Sequence, residues 1–107
     1  MLHVEFIETP IFTKQITESL SDDEYRELQS VLVLRPDAGD LIIGSGGLRK
    51  IRWKAAGKGK RGGLRIIYYW TQADTIFMLL PFKKSRQEDL TKDQLKKLRA
   101  IVKEWLQ

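Results

Sequence analysis

The pattern of hydrophobic and polar positions predicts four β-strands, from an alternation along residues 48–54 and from runs rich in β-branched and aromatic residues along 64–71 and 76–82. The segments are residues 3–7, 48–54, 64–71 and 76–82. In the second segment Lys50, Arg52 and Lys54 would share one face, which is typical of a strand with one side in water. In the third segment Arg65 and Tyr69 would share a face. We expect the other face of this strand to pack on helices and the face bearing Arg65 to look into a groove.

Helix-start signals and helical spacing of apolar residues predict three helices. Thr9 followed by Pro10 is typical of an N-cap and a first helical position, and Arg35 before Pro36 would end the second helix. Capping boxes open the second and third helices, at Ser21 with Glu24 and at Thr91 with Gln94. The predicted order is β-α-α-β-β-β-α, an α+β fold in which a mainly antiparallel sheet packs on helices. We expect one domain covering residues 1–107.

Length and composition fit this single domain. The chain has 107 residues, of which 42% are hydrophobic and 31% charged, so it can bury a core of its own and has no compositional mark of disorder. It has no cysteine, which excludes disulfides, thiol chemistry and a cysteine-based zinc site. We recognise no apolar run long enough to span a bilayer and no signal peptide, so we expect no membrane contact and a cytoplasmic location.

The charge of the chain is segregated along its length. Residues 1–40 carry nine acidic and three basic side chains, a net charge of −6. Residues 41–86 carry eleven basic side chains and Asp74 as their one acid, a net charge of +10. A separation this sharp in a short chain indicates one face adapted to a polyanion such as RNA. The alternative is that the basic residues only keep loops soluble.

The basic residues of this middle region form two groups. If the strands pair as predicted, the groups converge on one side of the sheet, where each phosphate contact would release counterions. Otherwise they are two separate solvated loops. The first group is Arg49, Lys50, Arg52, Lys54, Lys58, Lys60, Arg61 and Arg65, and the second is Lys83, Lys84 and Arg86.

The glycines of residues 57–62 match the letters of a dinucleotide-binding loop, G-x-G-x-x-G. That loop requires a following helix, whose N-terminus holds the pyrophosphate. A strand is predicted after residue 63 instead, so we expect no nucleotide cofactor, and the sequence indicates no other cofactor. The glycines would instead let Lys58, Lys60 and Arg61 approach phosphates closely.

Candidates for catalysis are few. His3 is the single histidine, and no pair of carboxylates lies in the basic region, so metal-dependent hydrolysis has little support. If the protein cleaves RNA, lysine and arginine must orient the 2′-hydroxyl and stabilise the charged transition state. A lysine in a dense positive field can have its pKa lowered enough to act as a base. Tyr69 is a candidate for stacking a base or donating a hydrogen bond, with core packing as the alternative.

Residues 46–70 carry a family resemblance. Residues 47–52, GLRKIR, precede the basic loop, and residues 58–69 follow as KGKRGGLRIIYY. With the order of elements, these residues resemble the RelE/HigB superfamily of toxins from bacterial toxin–antitoxin systems, and the HigB-type branch in particular. The resemblance covers nearly the whole chain.

The resemblance implies an mRNA interferase that enters the ribosomal decoding site and cuts the exposed message. Cleavage in this family proceeds by 2′-hydroxyl attack without a metal, and Arg65 matches the strand arginine that contacts the scissile phosphate. The implied partners are mRNA, the ribosome with its rRNA, and a cognate antitoxin. We expect catalytic roles for Arg65, Lys84, Lys60 and Arg61, and contacts to RNA or the ribosome from Arg49, Lys50, Arg52, Lys54, Lys58, Lys83, Arg86 and Tyr69.

The chain departs from the family at residues 87–90, which are QEDL. Some relatives have a tyrosine there that acts on the base or on the 2′-hydroxyl, so the identity of the general base stays open. One rival interpretation is a non-catalytic RNA- or ribosome-binding module with the same basic groove. Another is a basic protein-interaction domain for an acidic partner.

Overall fold

The computed structural model describes residues 3–54 and 63–107, which form three helices and one five-stranded sheet. The elements are β1 (Glu5–Glu8), α1 (Pro10–Ser19), α2 (Asp22–Leu34), β2 (Asp40–Leu41), β3 (Leu48–Trp53), β4 (Leu64–Trp70), β5 (Thr75–Lys83) and α3 (Lys92–Trp105). The strand order is β1-β5-β4-β3-β2, with β1 parallel to β5 and the other neighbours antiparallel. The predicted α+β fold with a mainly antiparallel sheet is confirmed. Only β2 is absent from the prediction, because two residues are too few to show an alternation.

The two predicted capping boxes are present. The Glu24 amide donates to Ser21 Oγ at 3.1 Å, and the Ser21 amide donates to Glu24 Oε1 at 2.8 Å. Thr91 and Gln94 make the same two bonds, each of 3.0 Å, at the start of α3. Each box satisfies amides that a helix start otherwise leaves without an acceptor, and its N-cap side chain contributes about 1 kcal/mol.

The sheet carries a helical layer on each face. Since strand side chains alternate, adjacent residues of β4 serve different layers. The buried residues on the side of α1 and α2 are Phe12, Ile16, Leu20, Leu28, Leu32, Ile51, Leu64, Ile66, Tyr68, Ile76 and Met78. Those on the side of α3 are Leu48, Ile67, Phe77, Leu79, Leu80, Phe82, Leu98 and Val102. The sequence pattern predicts helices on the other face of β4 and a groove on the face that bears Arg65. This expectation is wrong for part of that face, because α3 packs on Ile67, two residues along β4 from Arg65.

A β-bulge ties α1 to the centre of the sheet. The register between β4 and β5 shifts between Ile67 and Tyr68, which leaves Leu79 without a partner on β4. Thr9 Oγ1 donates to the Leu79 carbonyl at 2.8 Å and accepts from the Phe12 amide at 3.0 Å. The predicted N-cap of α1 is confirmed, and the same hydroxyl satisfies a carbonyl that the bulge exposes.

Tyr68 anchors the segment between α2 and β2. Its buried hydroxyl donates to the Pro36 carbonyl at 2.7 Å and accepts from the Gly39 amide at 2.8 Å. A Cβ on Gly39 would lie 2.8 Å from the tyrosine ring, so this approach requires a glycine. Burial raises the pKa of Tyr68, and the hydroxyl stays protonated to make both bonds.

Candidate functional site

Arg65 is a buried cation near the start of β4. It is 8% exposed and pairs across the sheet with Arg52 of β3 and Phe82 of β5. Cross-strand partners project from the same face, so two like charges stand side by side. Within residues 3–54 and 63–107, the Arg65 guanidinium makes no hydrogen bond and no ion pair of 4 Å or less. Two guanidinium groups on adjacent strands attract negative charge, so this arrangement favours the binding of an anion.

Gly63 provides the space that the Arg65 side chain occupies. A Cβ on Gly63 would lie 2.7 Å from Nη1 of Arg65, closer than Cβ atoms come to other heavy atoms in folded proteins. The guanidinium therefore folds back over the Gly63 backbone, next to the start of β4. Because Gly63 has no side chain, the Arg65 guanidinium can lie in this position.

A carboxylate lies beside the cations. Asp89 Oδ1 accepts from Lys50 Nζ at 3.1 Å and from the Leu90 amide at 2.8 Å. The Leu90 amide, the Lys50 ammonium and, more weakly, the Arg65 guanidinium lower the pKa of the Asp89 carboxyl. Asp89 is therefore ionised at neutral pH and holds Lys50 in place. We call the surface of Lys50, Arg52, Gly63, Arg65 and Asp89 the Arg65 site.

The turn after β5 begins beside this site. Lys83 pairs with Leu64, and the Lys84 amide donates to the Gly63 carbonyl at 3.0 Å. The backbone at the start of the second basic group thus lies against the strand that carries Arg65, at the end of the sheet where β3 finishes. Arg86 is exposed and lines a cavity of about 230 Å³ between α1 and the start of α3.

Two predicted site residues lie away from the Arg65 site. Arg49 projects to the opposite face of β3, where its guanidinium donates to the Gly39 carbonyl at 2.8 Å and to the Asp37 carbonyl at 3.3 Å. Tyr69 packs with the α3 layer and stacks on Phe77 with the ring centroids 6.2 Å apart. Core packing, the alternative for Tyr69, accounts for one side of its ring.

The remaining predicted residues of the basic loop lie outside the described residues. They are Lys58, Lys60 and Arg61. The chain that carries them leaves β3 after Trp53 and Lys54 and enters β4 from Gly63, so both of its ends are at the Arg65 site.

Asp89 is the site residue that the sequence pattern misses. It contacts a lysine 39 positions away, and no local signal announces a contact of that range. The one available signal is its position two residues before the N-cap Thr91, since the chain that enters a capped helix is held in a defined direction.

The described residues contain no metal-binding cluster and no membrane span. No three His, Cys, Asp or Glu side chains of residues 3–54 and 63–107 lie together in a way that could hold a metal ion. Within the same ranges, no helix combines the length and the hydropathy that crossing a bilayer requires.

Comparison with known proteins shows similarity to one protein family and to solved structures. The family model described as RelE toxin of RelE / RelB toxin-antitoxin system matches residues 28–107. Among solved structures, the chain is similar to a variant of E. coli toxin RelE in the free state, in which two arginines are replaced by alanine. The TM-score is 0.56 at 16% sequence identity, and the match covers 82% of this chain and 90% of that chain. This structural likeness shows a shared fold.

Proposed function

The chain belongs to the RelE family of toxins from toxin–antitoxin systems, and on that basis we propose that it is a ribosome-dependent mRNA endonuclease. It inhibits translation by cleaving mRNA in the ribosomal decoding site, and a cognate antitoxin neutralises it. In this proposal residues 1–107 act as one toxin domain in the cytoplasm. The domain contacts the RNA of the ribosome as well as the mRNA.

The observation that supports this function best is the buried Arg65 guanidinium beside Arg52 and Lys50. The pairing of Arg65 with Arg52 brings two positive charges to adjacent strands, and this concentration of charge favours the binding of an anion. A phosphodiester carries one negative charge, shared by two non-bridging oxygens. These oxygens can accept two parallel hydrogen bonds from the N–H groups of an arginine. The charge of the site and the position of Arg65 thus support the proposal that it binds an RNA phosphate.

The proposed reaction is an internal transesterification that requires no metal. The 2′-oxygen attacks the adjacent phosphorus and loses its proton to a base, the bond to the 5′-oxygen breaks, and that oxygen takes up a proton. The products are a 2′,3′-cyclic phosphate, which can open by hydrolysis, and a 5′-hydroxyl. Negative charge grows on the phosphate oxygens during attack, so Arg65 would bind the transition state more tightly than the ground state.

Proton transfer falls to cations near the site. Lys84 begins beside Gly63, and Lys60 and Arg61 belong to the loop whose ends lie at the Arg65 site. In the proposal these three share the transition-state charge, and the lysines supply or remove the proton. The proposed RNA and ribosome contacts are Arg49, Lys50, Arg52, Lys54, Lys58, Lys83, Arg86 and Tyr69. Arg49 would then serve a different RNA segment from Arg65, because it projects from the opposite face.

Asp89 has a positioning role in this proposal. Its carboxylate holds the Lys50 ammonium at 3.1 Å and is itself oriented by the Leu90 amide. A lysine side chain on a strand is flexible, so a fixed carboxylate reduces the entropy that Lys50 loses on binding phosphate. The lowered pKa of Asp89 makes it a weak base, which argues for orientation over proton abstraction.

A non-catalytic RNA-binding module is the second candidate. The turn between β5 and α3, residues 84–91, supports it because it contains neither a tyrosine nor a histidine to exchange a proton with the substrate. The two candidates predict different outcomes for Arg65→Ala. A protein that only binds RNA would lose affinity, whereas an endonuclease would also lose cleavage.

Induction of the protein in bacteria tests the endonuclease. We expect growth arrest and new mRNA 5′ ends at defined codon positions, mapped by primer extension. Arg65→Ala should abolish both effects. Arg26→Ala is the matched control, because Arg26 is a highly exposed arginine on α2 whose guanidinium, among the described residues, makes only a 3.9 Å ion pair with Asp23. Intact message and continued translation after induction of the wild type would contradict the proposal.

A further inference from the structure

A second basic cavity lies on the same sheet face as Arg65, at the other end of β4. Its volume is about 330 Å³, and it opens between α3 and the turn before β3. Lys96, Arg99 and Lys103 of α3 line it together with Tyr69, over an apolar floor that includes Leu48 and Val102. We call this cavity the α3 pocket.

The charge of the α3 pocket is entirely positive. None of the described residues that line it is acidic. Lys96, Arg99 and Lys103 make no ion pair within the described part of the chain, whereas Lys97, on the same helix but outside the pocket, pairs with Asp93 at 3.2 Å. Lysines and arginines that recur at spacings of three and four residues project from one helix face. The face of α3 toward the pocket is thus free to bind an anion.

Tyr69 provides a polar group for the same ligand. Its ring is half-buried and packs on Phe77, but its hydroxyl makes no hydrogen bond to any described residue. Gly47, at φ +109°, lies against the ring, and a Cβ there would come within 2.9 Å of it. The glycine turn therefore lets the tyrosine stand beside the three cations with its hydroxyl uncommitted.

From this arrangement we propose that the α3 pocket binds the phosphate backbone of an RNA strand, outside the phosphate that Arg65 contacts. This inference rests on the proposed function for the class of ligand. Tyr69 and Arg65 are four residues apart on one face of β4, about 13 Å at the rise of a β-strand. One RNA strand, or two segments of a folded RNA, would thus contact both sites on a single face. Cations together with an aromatic side chain are the usual composition of a sequence-tolerant RNA groove.

Direct RNA binding tests the proposal without requiring cleavage. The probe is a fluorescent single-stranded RNA in which 2′-deoxynucleotides block transesterification, titrated at several salt concentrations. Arg99→Ala and Lys103→Ala should each weaken binding and reduce the slope of log affinity against log salt by about 0.7, the value for one lost phosphate contact on a single strand. Tyr69→Phe should weaken binding without changing the slope, because it removes a hydrogen bond and no charge.

Lys97→Ala is the matched control, and we expect it to bind RNA as the wild type does. All these side chains except Tyr69 are exposed on α3, so the variants should fold normally, which circular dichroism checks. Unchanged affinity and slope for both Arg99→Ala and Lys103→Ala would overturn the proposal. If these two variants instead lost only antitoxin binding, the pocket would belong to a protein partner and the proposal would equally fail. If wild-type protein bound RNA through the pocket but cut no message, only the proposed endonuclease would be contradicted.

Discussion

The Arg65 guanidinium occupies the space that a side chain on Gly63 would need. The distance from Nη1 to the position of a Cβ on Gly63 is 2.7 Å. The two residues share the same strand end, next to the amide of Lys84 that binds the Gly63 carbonyl. The placement of the proposed phosphate ligand therefore depends on a residue that has no functional group of its own.

Gly63→Ala should impair the toxin without unfolding it. The added methyl group would displace the far end of a flexible arginine, and a misplacement of about 1 Å at a reactive group can cost about 10²-fold in rate. The contrast is Gly39→Ala, which meets the rigid ring of Tyr68 at 2.8 Å and a backbone carbonyl at 3.0 Å. Cleavage rates and thermal melts of both variants check this. A Gly63→Ala variant that cuts at the wild-type rate would show that the guanidinium position does not matter.

Asp89→Asn should reduce stability in a pH-dependent way. The pKa of Asp89 is lowered in the folded protein, so its contribution is present above the usual carboxyl value of 3.8 and is lost as the pH falls through the lowered value. The pair is solvent-exposed, with side-chain exposures of 24% for Lys50 and 64% for Asp89, so the contribution at pH 7 should be at most about 1 kcal/mol.

Urea unfolding from pH 7 to pH 2 measures this effect. The difference in the free energy of unfolding between wild type and Asp89→Asn should shrink toward zero at the acid end of this range. Glu88→Gln is the control, because it removes the same charge from the adjacent position without a contact to Lys50. An Asp89→Asn difference that stays constant over the whole pH range would mean that the carboxylate does not stabilise the folded state through its charge.

Tyr68→Phe should be strongly destabilising. It leaves the Pro36 carbonyl and the Gly39 amide without their partner, and a buried group left unsatisfied costs about 1–3 kcal/mol. In a domain of this size, a melting temperature falls by roughly 4–8 °C for each kcal/mol. Tyr69→Phe is the neighbouring control, with an expected change within about 0.5 kcal/mol, since its hydroxyl has no partner in residues 3–54 and 63–107. Equal melting temperatures for both variants would contradict the assigned role of Tyr68.

The features that could be predicted from sequence are those with short-range causes. Ser21 with Glu24 and Thr91 with Gln94 are three residues apart, so each capping box is visible in the sequence and is confirmed in the structure. The alternation within β4 places Arg65 and Tyr69 on one face by the same local logic. Residues that act within four positions of one another leave a pattern that needs no knowledge of the fold.

The features that escape prediction depend on distant parts of the chain. The parallel pairing of β1 with β5 joins Glu5 to Thr75, and the Lys50–Asp89 pair joins β3 to the entrance of α3. The alternation along β3 places Arg49 on the face opposite Lys50 and Arg52, but its bond to the Gly39 carbonyl, ten positions away, depends on how the chain between α2 and β2 folds. The α3 layer over Ile67 likewise depends on where the last helix docks, and nothing in the residues of β4 specifies this.

The most direct test of the central claim is single-turnover cleavage of a defined mRNA on purified ribosomes. Wild-type protein should cut at discrete positions in the decoding site. Arg65→Ala should slow cleavage by about 10²–10³-fold, the cost of removing one group that stabilises transition-state charge, while Arg26→Ala should cut normally. A melting curve establishes that Arg65→Ala is folded, and Arg65→Lys, which keeps the charge but loses the fork, should give an intermediate rate. Cleavage by folded Arg65→Ala at the wild-type rate would contradict the account.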